Sequence, residues 1–444
     1  MILTNGMNLI NKKKEIFFII ILLYSFYDRT LWTDITQWQV DQATTMWVGL
    51  NFSYRDIPIG LISSLGIPNP NGMMYLSKLL TKFPNLWLSG YILSLLHLFL
   101  IVLFGFFLSR ENKEKFFIII IPLILCVSLR SVSTHLVNQW VLLLVNFIFF
   151  ILLVIYIQKP SLEKLVLFIL PILLAPSIYL AGIANSASFV FCIFFTIFIY
   201  PPEINKKSIY KSIFLSSIII IIFFYFIWLP YYKFVILNDI QFFNNQNIES
   251  KKISIVIKTI IDFPYWSIFY AAADLSGTFL HNGKTVGFSP FWSIFHFDEE
   301  SREIIKKIYD GPLSNISINL LKTNSLLLSV QSILSSIILI FLSISFFFKS
   351  AFKIENKKLI IFIIITYLFI FLTLFFGAII GSPEWISGKR LDMQVHLFPF
   401  LLLIWFLTPW LLKTSNNLDK YIKIFSTFML IGFVIINLFV GKTI

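Results

Sequence analysis

Asp34 and Asp41 are seven residues apart in the stretch WTDITQWQVDQATTMWVGL, which runs from position 32 to 50. On a helix that spacing puts both carboxylates on one face, with Trp38 between them on the same side. A carboxylate that is partly desolvated has its pKa raised towards neutrality and can take a proton from a hydroxyl. The alternative reading is an acidic residue that solvates a helix lying at a membrane surface. Arg55 and Asp56 follow, then the rigid PNPNG turn with Asn69 and Asn71, then Lys78 and Lys82 on a second helical stretch. Further on come Arg130, His135 with Asn138 and Gln139, and the pair Lys389 and Arg390 flanked by Glu384 and Asp392. Arg grips an oxyanion with two parallel hydrogen bonds and Lys acts as a point charge, although both also snorkel to lipid head groups. His135 can bind hydroxyls or bridge helices.

Other chemistries find little support. Cys126 and Cys192 lie in apolar runs without CxxC spacing, so they read as packing residues. His97 lies inside an apolar run, where a packing hydrogen bond is expected. His281, His296 and His396 are too scattered for a metal cluster. No Walker-type or dinucleotide-type Gly pattern is present. Asn51-Phe52-Ser53 and Asn315-Ile316-Ser317 fit the glycosylation pattern, but carry little weight in a chain this rich in Asn and Ser.

The elements that position these residues are apolar. Of 444 residues 58% are hydrophobic and 13% charged, with mean hydropathy +0.85. A soluble protein of that length needs a polar coat that is missing here. Apolar runs near twenty residues recur, the length that a helix rising about 1.5 Å per residue needs to cross a bilayer about 30 Å thick. The sequence predicts an all-α polytopic membrane protein with about 11 transmembrane helices. The predicted spans are 15–32, 87–109, 116–130, 138–157, 164–181, 187–200, 212–232, 325–348, 359–380, 394–412 and 421–440. Charges inside these spans are nearly absent.

With the N-terminus inside, the short inner connections hold 18 of the 35 basic residues and seven of the 22 acids. That asymmetry predicts a cytoplasmic N-terminus and explains the net charge of +13 as a topology signal rather than a nucleic-acid surface. Two outer segments, 33–86 and 233–324, exceed any inner connection, so a site is expected on the outer or periplasmic side. The expected organisation is a transmembrane core over 1–232 whose first outer loop carries the acidic site, an outer helical cap over 233–324, and a C-terminal transmembrane bundle over 325–444. The plasma or inner membrane is the expected location for a bacterial source. An internal photosynthetic or endoplasmic membrane would have the same signature.

The layout resembles the C-type glycosyltransferase superfamily, including protein O-mannosyltransferases and aminoarabinose transferases of lipid A. The features that carry the resemblance are one N-terminal span, an outer loop with an acidic residue on a juxtamembrane helix (VDQATTMWVGL, Asp41), a Pro-rich turn before the next span (PNPNGMMYL), and a late basic pair with a Pro (GKRLDMQVHLFPFLLL). It covers 1–200 best and 380–412 weakly, and 233–324 is unmatched. Asp41 is followed by Gln42 where an acidic doublet is common, and Arg390 by Leu391 where Tyr is usual. The resemblance implies a polyprenyl-phosphate sugar donor, a lipid, glycan or protein acceptor, and surrounding membrane lipids. Asp41, with Asp34 second, would be the general base. Lys389 and Arg390 would hold the phosphate, with Arg55, Lys78 and Arg130 on the same side. Asp56, Asn69, Asn71 and His135 complete the expected substrate-binding set. No metal ligand is named, and a divalent metal stays open. A polysaccharide polymerase or O-antigen ligase, and a lipid or solute transporter, are the competing readings.

Overall fold

A computed structural model of the chain describes residues 16, 18–29, 40–51, 59–61, 68–83, 86–110, 115–126, 129–130, 138–238, 257, 260–261, 263–264, 267–268, 271, 315–348, 353–354, 357–380, 396–413 and 417–440. Within them the protein is almost entirely helical. The helices are α1 (18–29), α2 (Val40–Asn51), α3 (Gly72–Leu80), α4 (Leu86–Leu108), α5 (Lys115–Leu125), α6 (Asn138–Gln158), α7 (Leu162–Val166), α8 (Ile169–Ile178) and α9 (Ile183–Ile199). They continue with α10 (Lys206–Leu237), α11 (Asn315–Phe348), α12 (Lys357–Ile380), α13 (Phe398–Leu407) and α14 (Leu418–Val440). Lys353–Ile354 and Leu412–Lys413 form a two-residue antiparallel ribbon, β1 with β2.

Seven of these helices are long and apolar enough to cross a membrane, namely α4, α6, α9, α10, α11, α12 and α14. The protein is an all-α, multi-pass membrane protein. The remaining predicted spans coincide with shorter helices. The run 164–181 divides into α7 and α8 because Pro171 has no N–H for the Leu167 carbonyl, which takes Leu170 N–H at 3.1 Å instead. The run 394–412 gives α13 and a 3-10 turn over Thr408–Leu411 around Pro409.

Bilayer helices must satisfy their own backbone, so a proline inside one frees a carbonyl that another element has to cover. Three such carbonyls are covered by side chains. Pro176 leaves Ile172 O to Ser186 Oγ at 2.7 Å. Pro230 leaves Phe226 O to Tyr75 Oη at 3.1 Å and Asn71 Nδ2 at 3.4 Å, at a π-turn over Phe224–Trp228. Pro409 leaves Trp405 O to Gln331 Nε2 at 2.8 Å and to Ser335 Oγ.

The core lies between α4, α5, α6, α9, α12 and α13. In its apolar window α6 is 78% buried and α10 only 11%, so α6 is central and α10 is peripheral with most of its surface exposed. The end of the bundle away from α3 is basic. There Lys211 pairs with Glu163 at 2.8 Å, Lys164 Nζ donates to the carbonyls of Ile155 and Lys159, and Lys358 Nζ donates to Gln158 O. At that same end α10 starts on a capping box, in which Asn205 and Ser208 bond each other's backbone N–H.

Candidate active site at the first-loop end

The first loop is anchored by its asparagines. Asn69 Nδ2 donates to Leu61 O at 2.8 Å, and Asn69 Oδ1 accepts from Leu180 N–H at 2.9 Å. Both Asn69 and Asn71 are buried. Tyr231 Oη closes the contact on Pro68 O at 2.9 Å. Gly72 is required here by close approach, since a Cβ would stand 2.5 Å from Ser177 O. The PNPNG turn is therefore seated between the α8–α9 corner and the π-turn of α10.

The turn leads directly into α3, and α3 holds α2. Ser77 Oγ donates to Thr45 O at 2.6 Å, and Thr81 Oγ1 to Gly49 O at 3.3 Å. Gly49 lets the helices touch, because a Cβ there would lie 2.3 Å from Ser77 Oγ. Thr45 and Met46 are buried, whereas Trp47 and Leu50 are each 57% exposed. A short helix with one face packed on protein and an outward Trp and Leu suits the membrane–water boundary. Asp41 lies in the first turn of α2, and its side chain lies outside the described residues. Lys78 is half-buried on α3.

Asp34, Arg55, Asp56, His135, Lys389 and Arg390 lie outside the described residues. Arg130 lies within them, with its side chain fully buried and ion-paired to Asp28 through Nη1, while Nη2 donates to Asn437 O at 2.7 Å. Tyr24 Oη donates to Asp28 Oδ1 at 3.4 Å, and Arg29 Nη1 to Ser25 Oγ at 2.9 Å. Tyr91 and His97 of α4 stand within electrostatic reach of Arg29. Asn437 Nδ2 continues the network to Asn324 Oδ1 at 3.3 Å. This cluster ties α1, α4, α11 and α14 around Arg130. Buried charges are tolerated in a bundle only when paired in this way.

Arg130 belongs to the substrate-binding set expected from the sequence, which does not reveal its partner Asp28. The signal was the Asp28-Arg29 dipeptide near the end of an apolar run. Among the described residues no three His, Cys, Asp or Glu side chains stand together as a metal set. No protein-family model, curated protein or solved structure matches the chain.

Proposed function

We propose that the protein is a membrane glycosyltransferase that moves a sugar from a polyprenyl-phosphate donor to an acceptor hydroxyl at the outer face of the membrane. The first-loop end faces outwards and the basic end faces the cytoplasm. The observation that carries the reading is the seating of the first loop. The turn, α3 and α2 form one chain of buried contacts from the bundle core to the helix that bears Asp41. Catalytic groups act well only when rigid elements hold them, and an unused surface loop has no need of such anchoring.

Asp41 accepts the acceptor's hydroxyl proton as that oxygen attacks the anomeric carbon. The bond from the anomeric carbon to the phosphate oxygen breaks, polyprenyl phosphate leaves, and the configuration inverts. A general base contributes about 10²–10⁴-fold in rate, and cations on the leaving oxygens contribute more. Arg130 is engaged by Asp28, so the leaving phosphate falls to Lys389 and Arg390, with Arg55 and Lys78 as the further candidates. The lipid-facing surface of α10 supplies a path for the polyprenyl chain.

The test is to incubate the protein in nanodiscs with a panel of radiolabelled polyprenyl-phosphate sugars. Release of polyprenyl phosphate with sugar appearing on an acceptor or in water is the expected result. A panel left wholly intact overturns the assignment.

A further inference from the structure

Above the aromatic centre of the bundle lies a polar layer that the mechanism does not use. Phe150 packs on Phe400 at 4.3 Å and on Phe369 at 5.1 Å, Phe189 stacks on Phe369 at 5.3 Å, and Phe149 stacks on Phe189 at 4.1 Å. These rings form a floor drawn from α6, α9, α12 and α13. One helical turn from each of three rings, in the direction of the first loop, stands a polar residue, and a fourth stands in the turn that leads into α13. Asn146 is four residues before Phe150, Asn185 four before Phe189, Thr373 four after Phe369, and His396 four before Phe400.

The directions are fixed by contacts. Asn185 Nδ2 donates to Asn146 Oδ1 at 3.0 Å while Phe189 meets Phe149, so α6 and α9 run in parallel. Phe189 meets Phe369, and Cys192 Sγ reaches Ile365 O at 3.8 Å, so α9 and α12 run antiparallel. Residues four apart share a helix face, which brings Thr373 to the level of Asn185. Asn146 Nδ2 donates to His396 O at 3.0 Å and joins the fourth member.

All four are 1% exposed or less. Asn185 Oδ1, Thr373 Oγ1, and both ring nitrogens of His396 have no hydrogen-bond partner among the described residues. Neighbouring hydroxyls behave differently. Thr366, two turns away on α12, donates to Phe362 O at 2.7 Å, and Ser188 on α9 donates to Ala184 O at 2.7 Å. Polar groups at membrane depth are costly and usually have a use. Four such atoms on residues packed around Asn146 and the Phe floor point to a guest.

We infer that this layer is the binding subsite for the neutral sugar ring of the donor, an inference that rests on the transferase reading. An imidazole offers one donor and one acceptor, an amide oxygen accepts, and a hydroxyl does both. The complementary guest carries several groups that both give and take a hydrogen bond, as sugar hydroxyls do. The Phe floor suits the C–H face of a pyranose, and among the described residues the layer holds no carboxylate, Lys or Arg, which fits an uncharged guest. The layer sits just beneath the seated loop, since Leu180, which bonds Asn69, is five residues before Asn185. None of these four atoms touches solvent, so binding there requires the surrounding helices to part.

Saturation-transfer NMR on the full-length protein in nanodiscs tests this with methyl glucopyranoside, mannopyranoside and galactopyranoside. At least one should bind the wild type, and Thr373→Val should weaken it tenfold or more. The thermal midpoint of Thr373→Val should be unchanged or higher, because that hydroxyl bonds nothing among the described residues. His396→Phe should abolish binding, and His396→Gln should keep part of it. The inference is overturned if no glycoside binds the wild type, or if Thr373→Val and His396→Phe bind as the wild type does. Donor consumption without glycoside binding overturns the subsite alone. Glycoside binding without consumption of any donor retains the subsite and removes the transferase reading.

Discussion

The carbonyl of Trp405 offers a quantitative test of how this bundle tolerates its prolines. Pro409 cannot return an N–H to it, and two buried donors on α11, Gln331 Nε2 and Ser335 Oγ, take its place. Either donor alone still satisfies the carbonyl, so each single substitution should be mild. Interhelical hydrogen bonds in membrane bundles average about 0.6 kcal/mol, with a maximum near 1.7. Ser335→Ala should fall in that range, and Gln331→Leu towards or above its upper end, because it also removes the bond to Ser426 Oγ at 2.9 Å. With both gone, the carbonyl is bare in an apolar interior, at a cost of about 1–3 kcal/mol beyond the two single losses. Pro409→Ala restores a backbone donor and should remove most of that excess. The measurement is reversible unfolding in mixed micelles of all eight combinations of the three substitutions. A double substitution whose cost equals the sum of the singles to within about 0.5 kcal/mol, both with and without Pro409→Ala, refutes the reasoning.

Three further predictions concern the first-loop end. Gly72→Val drives a side chain into the Ser177 backbone, and overpacking of this kind costs about 1–3 kcal/mol; proteolysis of the α2–α3 segment should speed up at unchanged digestion of the remaining bundle. Asp28→Leu leaves the Arg130 guanidinium without its buried carboxylate, which costs about 3–5 kcal/mol, and Asp28→Leu combined with Arg130→Met should recover most of that loss in the same unfolding assay. Arg130→Lys should not substitute for Arg130, because one ammonium cannot serve Asp28 and the Asn437 carbonyl with the same geometry; a melting temperature equal to the wild type contradicts this.

The membrane-spanning nature of the chain could be read from hydropathy because the bilayer imposes both length and apolarity on a helix. Runs 87–109, 138–157 and 359–380 match α4, α6 and α12 to within two residues. The interruptions were less legible. Pro171 and Pro409 mark where α8 and α13 depart from a single long helix, but the residues that cover the carbonyl freed by Pro409 lie far away in sequence. Position 71 and position 226 are 155 residues apart, and no local pattern announces that they meet. The PNPNG turn is recognisable as a turn, and the resemblance gives its two asparagines a place against substrate. Their described hydrogen bonds go to Leu61, Leu180 and Phe226 backbone atoms. The Asp28–Arg130 pair is hidden by the same distance in sequence, and the polar layer because each member alone looks like a packing residue. Its pattern emerges only when four helices are aligned on their phenylalanines.

A carboxylate on the loop seated by Asn69 and Gly72 serves, on this account, as the base for sugar transfer. The most direct test compares wild type with Asp41→Asn on one polyprenyl-phosphate sugar, both in nanodiscs with equal thermal midpoints. Loss of a general base predicts a fall in turnover of about a hundredfold or more, with donor binding retained. Equal turnover by the two proteins would contradict the account.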